Sequence, residues 1–454
     1  MPYDTDRRDY LRLAGTGLAA AFAGCAGGGG NGDDSTPSDG TETGNGSTPE
    51  GGTTLTYWSA FFDDEILDPW NEWYVQTVEE ELNVSIDLVP FQYQDLRQNY
   101  LTGARTGTPD LIEGVLSHVS DYTKADLLEP LDESVQNKDN YDGFIDSSID
   151  ALRYQDQLYG LPLDGNGRGL LYRKDILEEY GFEPPETAQE LHEIGREINQ
   201  GEEDMAGYKN VTAAGDIRGF QEWISHVYQH ADALYEVDGD SWTVVPSADT
   251  LGQIFDNWYY QIWAVDNPVA DPNSIGTGYE QLDSAYARGN FAMCPNGPWV
   301  RSSQADAGPN SETILNEHTA VTHLPHAEGA ERGTYLEVEW AGLNSHSEHM
   351  DTAWEALDIY TSTESFQLFA ENDPGNWVTP IHEDIESTMD DEDWLPFTEI
   401  IETGTALAFV SWGSTREALY NSMQRVAYGE SDPYNEAEQF HSTLQDIAQN
   451  EFEV

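Results

Sequence analysis

The 454-residue chain is long enough for two or three domains, and it carries 85 Asp and Glu against 19 Lys and Arg, a formal net charge of −66. That balance argues against nucleic acid and against docking on anionic lipid, both of which need basic patches. An aromatic content of 11% argues against disorder, and the carboxylate excess reads as adaptation to strong brine, where a Debye length of about 3 Å at 1 M salt screens self-repulsion.

Arg7-Arg8-Asp9-Tyr10-Leu11-Arg12 resembles the twin-arginine export motif. The small-residue and apolar run Leu13 to Ala23 that follows is too short to span a bilayer. It ends at Phe22-Ala23-Gly24-Cys25, which resembles a lipobox. Residues 1–25 are therefore expected to be an export signal with Cys25 as the lipidated residue, holding the protein on the outer face of the membrane. Residues 26–53, rich in Gly, Ser, Thr, Asn and Asp, read as a flexible linker. Apart from Cys25 there is one cysteine, Cys294, in an apolar run that predicts a buried thiol.

From Thr54 the pattern is globular. Leu55–Ser59 predicts a strand, 66–82 a helix, Asn83–Val89 a second strand, 93–106 a second helix, and the turn before Asp110-Leu111-Ile112 a third strand. The β-α-β-α-β order implies a parallel, doubly wound sheet, whose ligands bind outside the carboxyl ends of the strands. That rule favours Trp58, Asp63 and Ser117 as site residues. Tyr159 to Leu163 predicts a strand, followed by a Gly-rich turn, Asp164 to Gly169, and a second apolar run, Leu170-Leu171-Tyr172. The turn offers Asp164, Asn166 and Arg168 for binding, or else is an acidic surface turn. Thr187 with Glu190 makes a capping box ahead of a helix over 188–199. The tryptophans Trp258 and Trp263, in an apolar helix, read as core.

Several segments, in this order, carry a family resemblance. They are Gly107-Thr108-Pro109-Asp110, Leu127 to Asp132, Tyr159-Gly160-Leu161-Pro162-Leu163-Asp164 with Leu170 to Leu177, and Gln281 to Ser302. Trp340 to Asn344, Asp373 to Pro380 and Phe409 to Gly413 complete the set. Together they resemble the extracellular solute-binding proteins of ABC transporters, in the sugar-binding, maltose-binding-protein-like group.

The resemblance implies an α/β fold of two lobes, each a doubly wound sheet flanked by helices, joined by three crossings near 162–168, 322–328 and 380–384. It implies a first lobe of 54–163 plus 325–381 and a second of 164–324 plus 382–454. It places Asp164 on ligand hydroxyls, Phe220 to Trp223 at the cleft face of the second lobe, and Trp299 and Trp412 in stacking positions. Trp340 and Trp377, each near a predicted strand end or turn, complete the candidate set. The implied function is hinge closure on a sugar and delivery to a membrane permease, by a monomer without cofactor or metal. The alternatives within the family are a polyol, a glycerol phosphate bound through Arg168, or a polyamine. A glycoside hydrolase is the alternative from another class, because aromatics with paired carboxylates suit that chemistry too. His318, His323 and His326 have no defensible zinc-ligand spacing.

Overall fold

Alternation of apolar residues buries Leu55 and Tyr57 of the strand Thr54–Ser59, and spacing by four buries Trp70, Tyr74 and Val78 of the helix Asp68–Leu82. These two elements begin the first of two sheets. The computed structural model describes residues 52–62, 67–202, 205–372, 381–385 and 391–452. Cys25, Asp63 and Trp377 lie outside them.

The first sheet has five strands, in the order Ser85–Pro90, Thr54–Ser59, Leu111–Val115, Glu337–Leu343, Leu161–Asn166. The first three are parallel, as the β-α-β-α-β pattern predicts. Glu337–Leu343 runs antiparallel to both its neighbours, so the sheet is mixed. The helix Met350–Tyr360 packs on Asp68–Leu82, where the Tyr74 hydroxyl donates to Ala356 O at 3.1 Å.

The second sheet orders Thr319–His323, Gly169–Arg173, Phe291–Asn296, Ala206–Tyr208. Around it lie Ala188–Gly201, whose capping box has both halves formed, and Ile217–Tyr228. Gly413–Ala427 and Pro433–Glu451 pack together at the same end. Trp258 and Trp263 are buried in a π-helical stretch, Asp256–Ala264. Cys294 is buried in Phe291–Asn296, and desolvation pushes its thiol well above the ordinary range.

Each sheet with its helices makes one lobe. The strand Leu161–Asn166 of the first sheet leads straight into Gly169–Arg173 of the second, and Thr319–His323 of the second returns to Glu337–Leu343 of the first. The turn expected over Asp164 to Gly169 is therefore much shorter. Asp164, Gly165 and Asn166 pair with Glu339, Val338 and Glu337, so the strand runs on and only Gly167 and Arg168 connect the sheets. Backbone pairing outweighs the local glycine signal. Gly169 is not in a left-handed conformation; a Cβ there would fall 2.8 Å from Ile400 Cδ1 and 3.1 Å from Thr322 O. Close approach, not a turn, is what this position requires.

Candidate functional site

A cavity of about 280 Å³ lies between the two lobes, with walls from both. The crossing strand supplies its floor. Asp164, Asn166 and Arg168 are all buried, at 7%, 4% and 3% exposure, which excludes the surface-turn reading. Arg168 donates from Nη1 to Asn166 Oδ1 at 2.7 Å and from Nη2 to Gln221 Oε1 at 2.6 Å. Asn166 Nδ2 donates to Asp164 Oδ2 at 3.4 Å.

The pleat of Glu337–Leu343 sets Glu337 and Glu339 beside this group, and Glu113 reaches the cavity from Leu111–Val115. Glu337 accepts from Leu116 N at 2.9 Å and from Gln221 Nε2 at 2.7 Å. Glu113 accepts from the Tyr360 hydroxyl at 2.6 Å. Burial pushes the Glu113 carboxyl up to about 7, and hydrogen bonds from Tyr360 and Ser59 hold it from rising further. Burial also raises Glu337, opposed by the Arg168 charge. Glu339 is pushed well above the carboxylate range by burial and then by the charges of Asp164, Glu113 and Glu337.

The second-lobe wall is built by one cap. Asp216 accepts from Arg218 N at 3.0 Å and from Tyr279 N at 2.8 Å, fixing both residues at the cavity. Arg218 donates to Asn296 Oδ1 at 2.9 Å and lies 3.5 Å from Asp283. Both guanidiniums sit over Trp299, at 4.7 Å for Arg168 and 4.5 Å for Arg218 from the ring centroid. Gly297 leaves room for that ring: a Cβ there would fall 1.7 Å from Trp299 Cζ3. Phe61, Trp70, Tyr360 and Phe366 supply apolar wall in the first lobe.

Of the residues expected at the site, the structure brings Asp164, Asn166, Arg168 and Trp299 together. The others described lie elsewhere. Trp58 packs on Phe91, with centroids 4.6 Å apart, and Phe61 beyond the strand end faces the cavity instead. Ser117 is buried in the helix Leu116–Lys124, off the cavity wall. Phe220 and Trp223 face the core of the second lobe, against Trp412 and Phe440. Ile217, Arg218 and Gln221 occupy the cavity face of that helix. Trp340 is fully buried and donates to Val115 O at 2.9 Å, on the pleat opposite the two glutamates. Trp412 is buried against Phe220 and Tyr235, with its Nε1 donating to Ala408 O at 3.0 Å. Phe220, Trp223, Trp340 and Trp412 are thus held in place by apolar burial.

Among the described residues, no three of His, Cys, Asp and Glu are grouped as metal ligands. None of their helices is long and apolar enough to cross a membrane.

Residues 51–365 match the profile of a family described as bacterial extracellular solute-binding protein. A binding protein of Brucella abortus strain 2308 is 21% identical over 358 residues, 78% of this chain and 82% of that one. A lactose-binding protein of Rhizobium radiobacter is 26% identical over 259 residues, 55% and 57% of the two chains. Among solved structures, the GacH receptor of Streptomyces glaucescens GLA.O, described unliganded and with acarbose, superposes with a TM-score of 0.73 at 17% identity. That superposition covers 88% of this chain and 100% of the receptor. An ABC transporter solute-binding protein from Thermotoga lettingae TMO, described with α-D-tagatose, gives 0.72 at 22% identity over 87% and 100%. The likeness to these structures shows the two-lobed fold.

Proposed function

Since the chain belongs to the family of bacterial extracellular solute-binding proteins, we propose that it captures a sugar or small polyol between its lobes and delivers it to the permease of an ABC transporter. The observation that carries this reading is the cavity walled from both lobes, with hydrogen-bonding side chains on the crossing strand and aromatic rings on either side. A sugar presents apolar C–H faces to rings and hydroxyls to carboxylates, Asn and Arg. Hydrogen bonds to charged groups contribute about 1.5–3 kcal/mol each, so a few that converge give selective binding. The size, about 280 Å³, lies just below the usual range of ligand pockets, roughly 300–1,000 Å³. It suits one or two rings better than a long oligosaccharide. The sugars named for the relatives and for proteins of the same fold support the same class. A glycerol phosphate is disfavoured, because four lining carboxylates face it and only two guanidiniums.

In this reading the lobes close about their crossings once the ligand is seated. Arg7-Arg8 directs export, Cys25 carries the lipid that keeps the protein at the outer membrane face, and residues 26–53 let it reach the permease as a monomer. Asp63 and Trp377 remain candidate ligand contacts, and no chemistry is performed on the ligand.

A thermal-shift screen of the protein in multimolar salt, with sugars, polyols, glycerol phosphate and polyamines, tests the proposal. A ligand at 100 times its dissociation constant stabilises by about 2.7 kcal/mol. A sugar or polyol hit recovered unchanged supports the reading. A hit confined to phosphate esters or to polyamines, or consumption of the sugar, refutes it.

A further inference from the structure

We propose that the ligand carries a protonated amine, seated in the first-lobe half of the cavity between Glu113, Glu339 and the rings of Trp70 and Tyr360; this rests on the sugar-or-polyol reading and narrows it to amino sugars and amino polyols.

Three independent observations converge. The first is register. Glu113 stands opposite Ala341, and Glu339 stands opposite Val115, so the two acids are diagonal neighbours on one face of adjacent strands. Diagonal neighbours lie about 7 Å apart, close enough for one ammonium group to reach both carboxylates. Both residues line the cavity.

The second is the balance of charge and hydrogen bonds. Four carboxylates line the cavity: Glu113, Asp164, Glu337 and Glu339. Of the two guanidiniums, Arg218 is directed to Asn296 and Asp283 on the second-lobe side. Arg168 is left against all four. Glu337 has both oxygens occupied by Leu116 N and Gln221 Nε2. Glu339 accepts no hydrogen bond among the described residues and keeps its carboxylate on the cavity wall. Like charges so close in a low-dielectric site cannot all stay ionised unless another positive charge joins them. A neutral hydroxyl does not supply it, and an ammonium does.

The third is the ring array. Trp70 and Tyr360 have centroids 4.8 Å apart with planes inclined at 55°, and Phe369 meets Trp70 edge-on at 5.4 Å. All three rings line the same half of the cavity. Angled aromatic faces beside carboxylates attract a cation through their quadrupoles.

The groups facing Glu339 are Asp164, Glu113, Glu337 and Arg168, and those facing Glu113 include Tyr57, Tyr74 and Tyr360. A cation seated among them favours the ionised form of carboxyl groups that burial, and for Glu339 the neighbouring acids as well, push toward the protonated form. Binding of an amine therefore releases protons, and its affinity rises with pH through neutrality.

The test is calorimetric titration of the full chain, in multimolar salt at pH 7, with matched pairs. The pairs are D-sorbitol with N-methyl-D-glucamine and D-glucose with D-glucosamine. The expected result is at least tenfold tighter binding of the amine in one pair, with heats that differ between buffers of different ionisation enthalpy. Glu339→Gln, and separately Glu113→Gln, should cut the ratio of amine to neutral affinity at least fivefold and abolish the buffer dependence of the binding heat, whatever either change does to binding of the neutral partner; a ratio and a buffer dependence unchanged in both variants overturn the inference. Neutral partners that bind as tightly as the amines or more tightly overturn the inference and leave the sugar reading standing. No binding of either pair, or of any wider sugar panel, overturns both.

Discussion

Gln221 should be worth more to this fold than a half-cavity glutamine ordinarily is. It sits on the helix Ile217–Tyr228 of the second lobe, 4% exposed, and bridges Arg168 of the connection between the sheets and Glu337 of the first sheet. Its carbonyl accepts from Arg168 Nη2 at 2.6 Å and its amide donates to Glu337 Oε2 at 2.7 Å. Gln221→Leu keeps the volume and removes both bonds, leaving a guanidinium N–H and a carboxylate oxygen unsatisfied where they are largely desolvated. Two charge-assisted bonds amount to about 3–6 kcal/mol. Water drawn from the cavity restores part of that, so the net loss should be ~2–4 kcal/mol. Urea unfolding in multimolar potassium chloride measures it as a fall in midpoint at constant slope. Gln221→Glu, which keeps the acceptor for Arg168 but sets a carboxylate against Glu337, should also destabilise. A change below about 0.5 kcal/mol for the leucine variant would refute the idea that this residue ties the lobes together.

Three further outcomes are expected. Glu222 is buried, and desolvation pushes its carboxyl up to about 8 from an ordinary 4.5. The folded state thus holds a proton that the unfolded chain has released, so the stability it contributes is complete below about pH 4.5 and is lost as pH climbs to about 8. Glu222→Gln should remove that decline, with the variant-minus-parent difference growing by up to about 1.4 kcal/mol per pH unit in the window; parallel pH profiles would contradict it. Trp340→Ala should cost about 3–5 kcal/mol of stability through a core cavity, and the ligand affinity of the folded fraction should stay within threefold; a selective loss of binding would return Trp340 to the site. With a net charge of −66, dilution from multimolar salt to 0.1 M lengthens the Debye length from about 3 to about 10 Å, and the melting temperature should fall steeply. A melting temperature indifferent to salt would mean that the acid excess is not a screening adaptation.

Periodicity made the scaffold legible. The alternation in Thr54–Ser59, the spacing of Trp70, Tyr74 and Val78, and the Thr187–Glu190 cap are local signals that tertiary packing reinforces. Asp164, Asn166 and Arg168 were legible because polar residues between two apolar runs have few structural uses. The rest of the site was hidden by phase. In the helix Ile217–Tyr228, Arg218 and Gln221 point to the cavity while Phe220 and Trp223 turn to the core. In Glu337–Leu343 the pleat gives the cavity to Glu337 and Glu339 and the interior to Trp340. Phe220 and Trp223, which the resemblance placed at the cleft, and Trp340, placed there by its nearness to a strand end, are buried instead, since a large ring buries more apolar area in the core than in a cleft. Glutamates within apolar strands, Glu113 and Glu339, were the informative signal, yet 85 acids in the chain leave little contrast. Trp70, Tyr279 and Tyr360 come from separate elements that only the fold assembles.

The central claim is that the ligand sits between the lobes. The most direct measurement is a crystal structure, grown at high salt, of the protein with the sugar or polyol that gives the largest thermal shift. The account predicts an intact ligand touching Asp164 or Arg168 from the crossing strand, Glu113 or Glu339 from the first lobe, and Arg218 or Trp299 from the second. A ligand bound to one lobe alone, or outside this cavity, would contradict it.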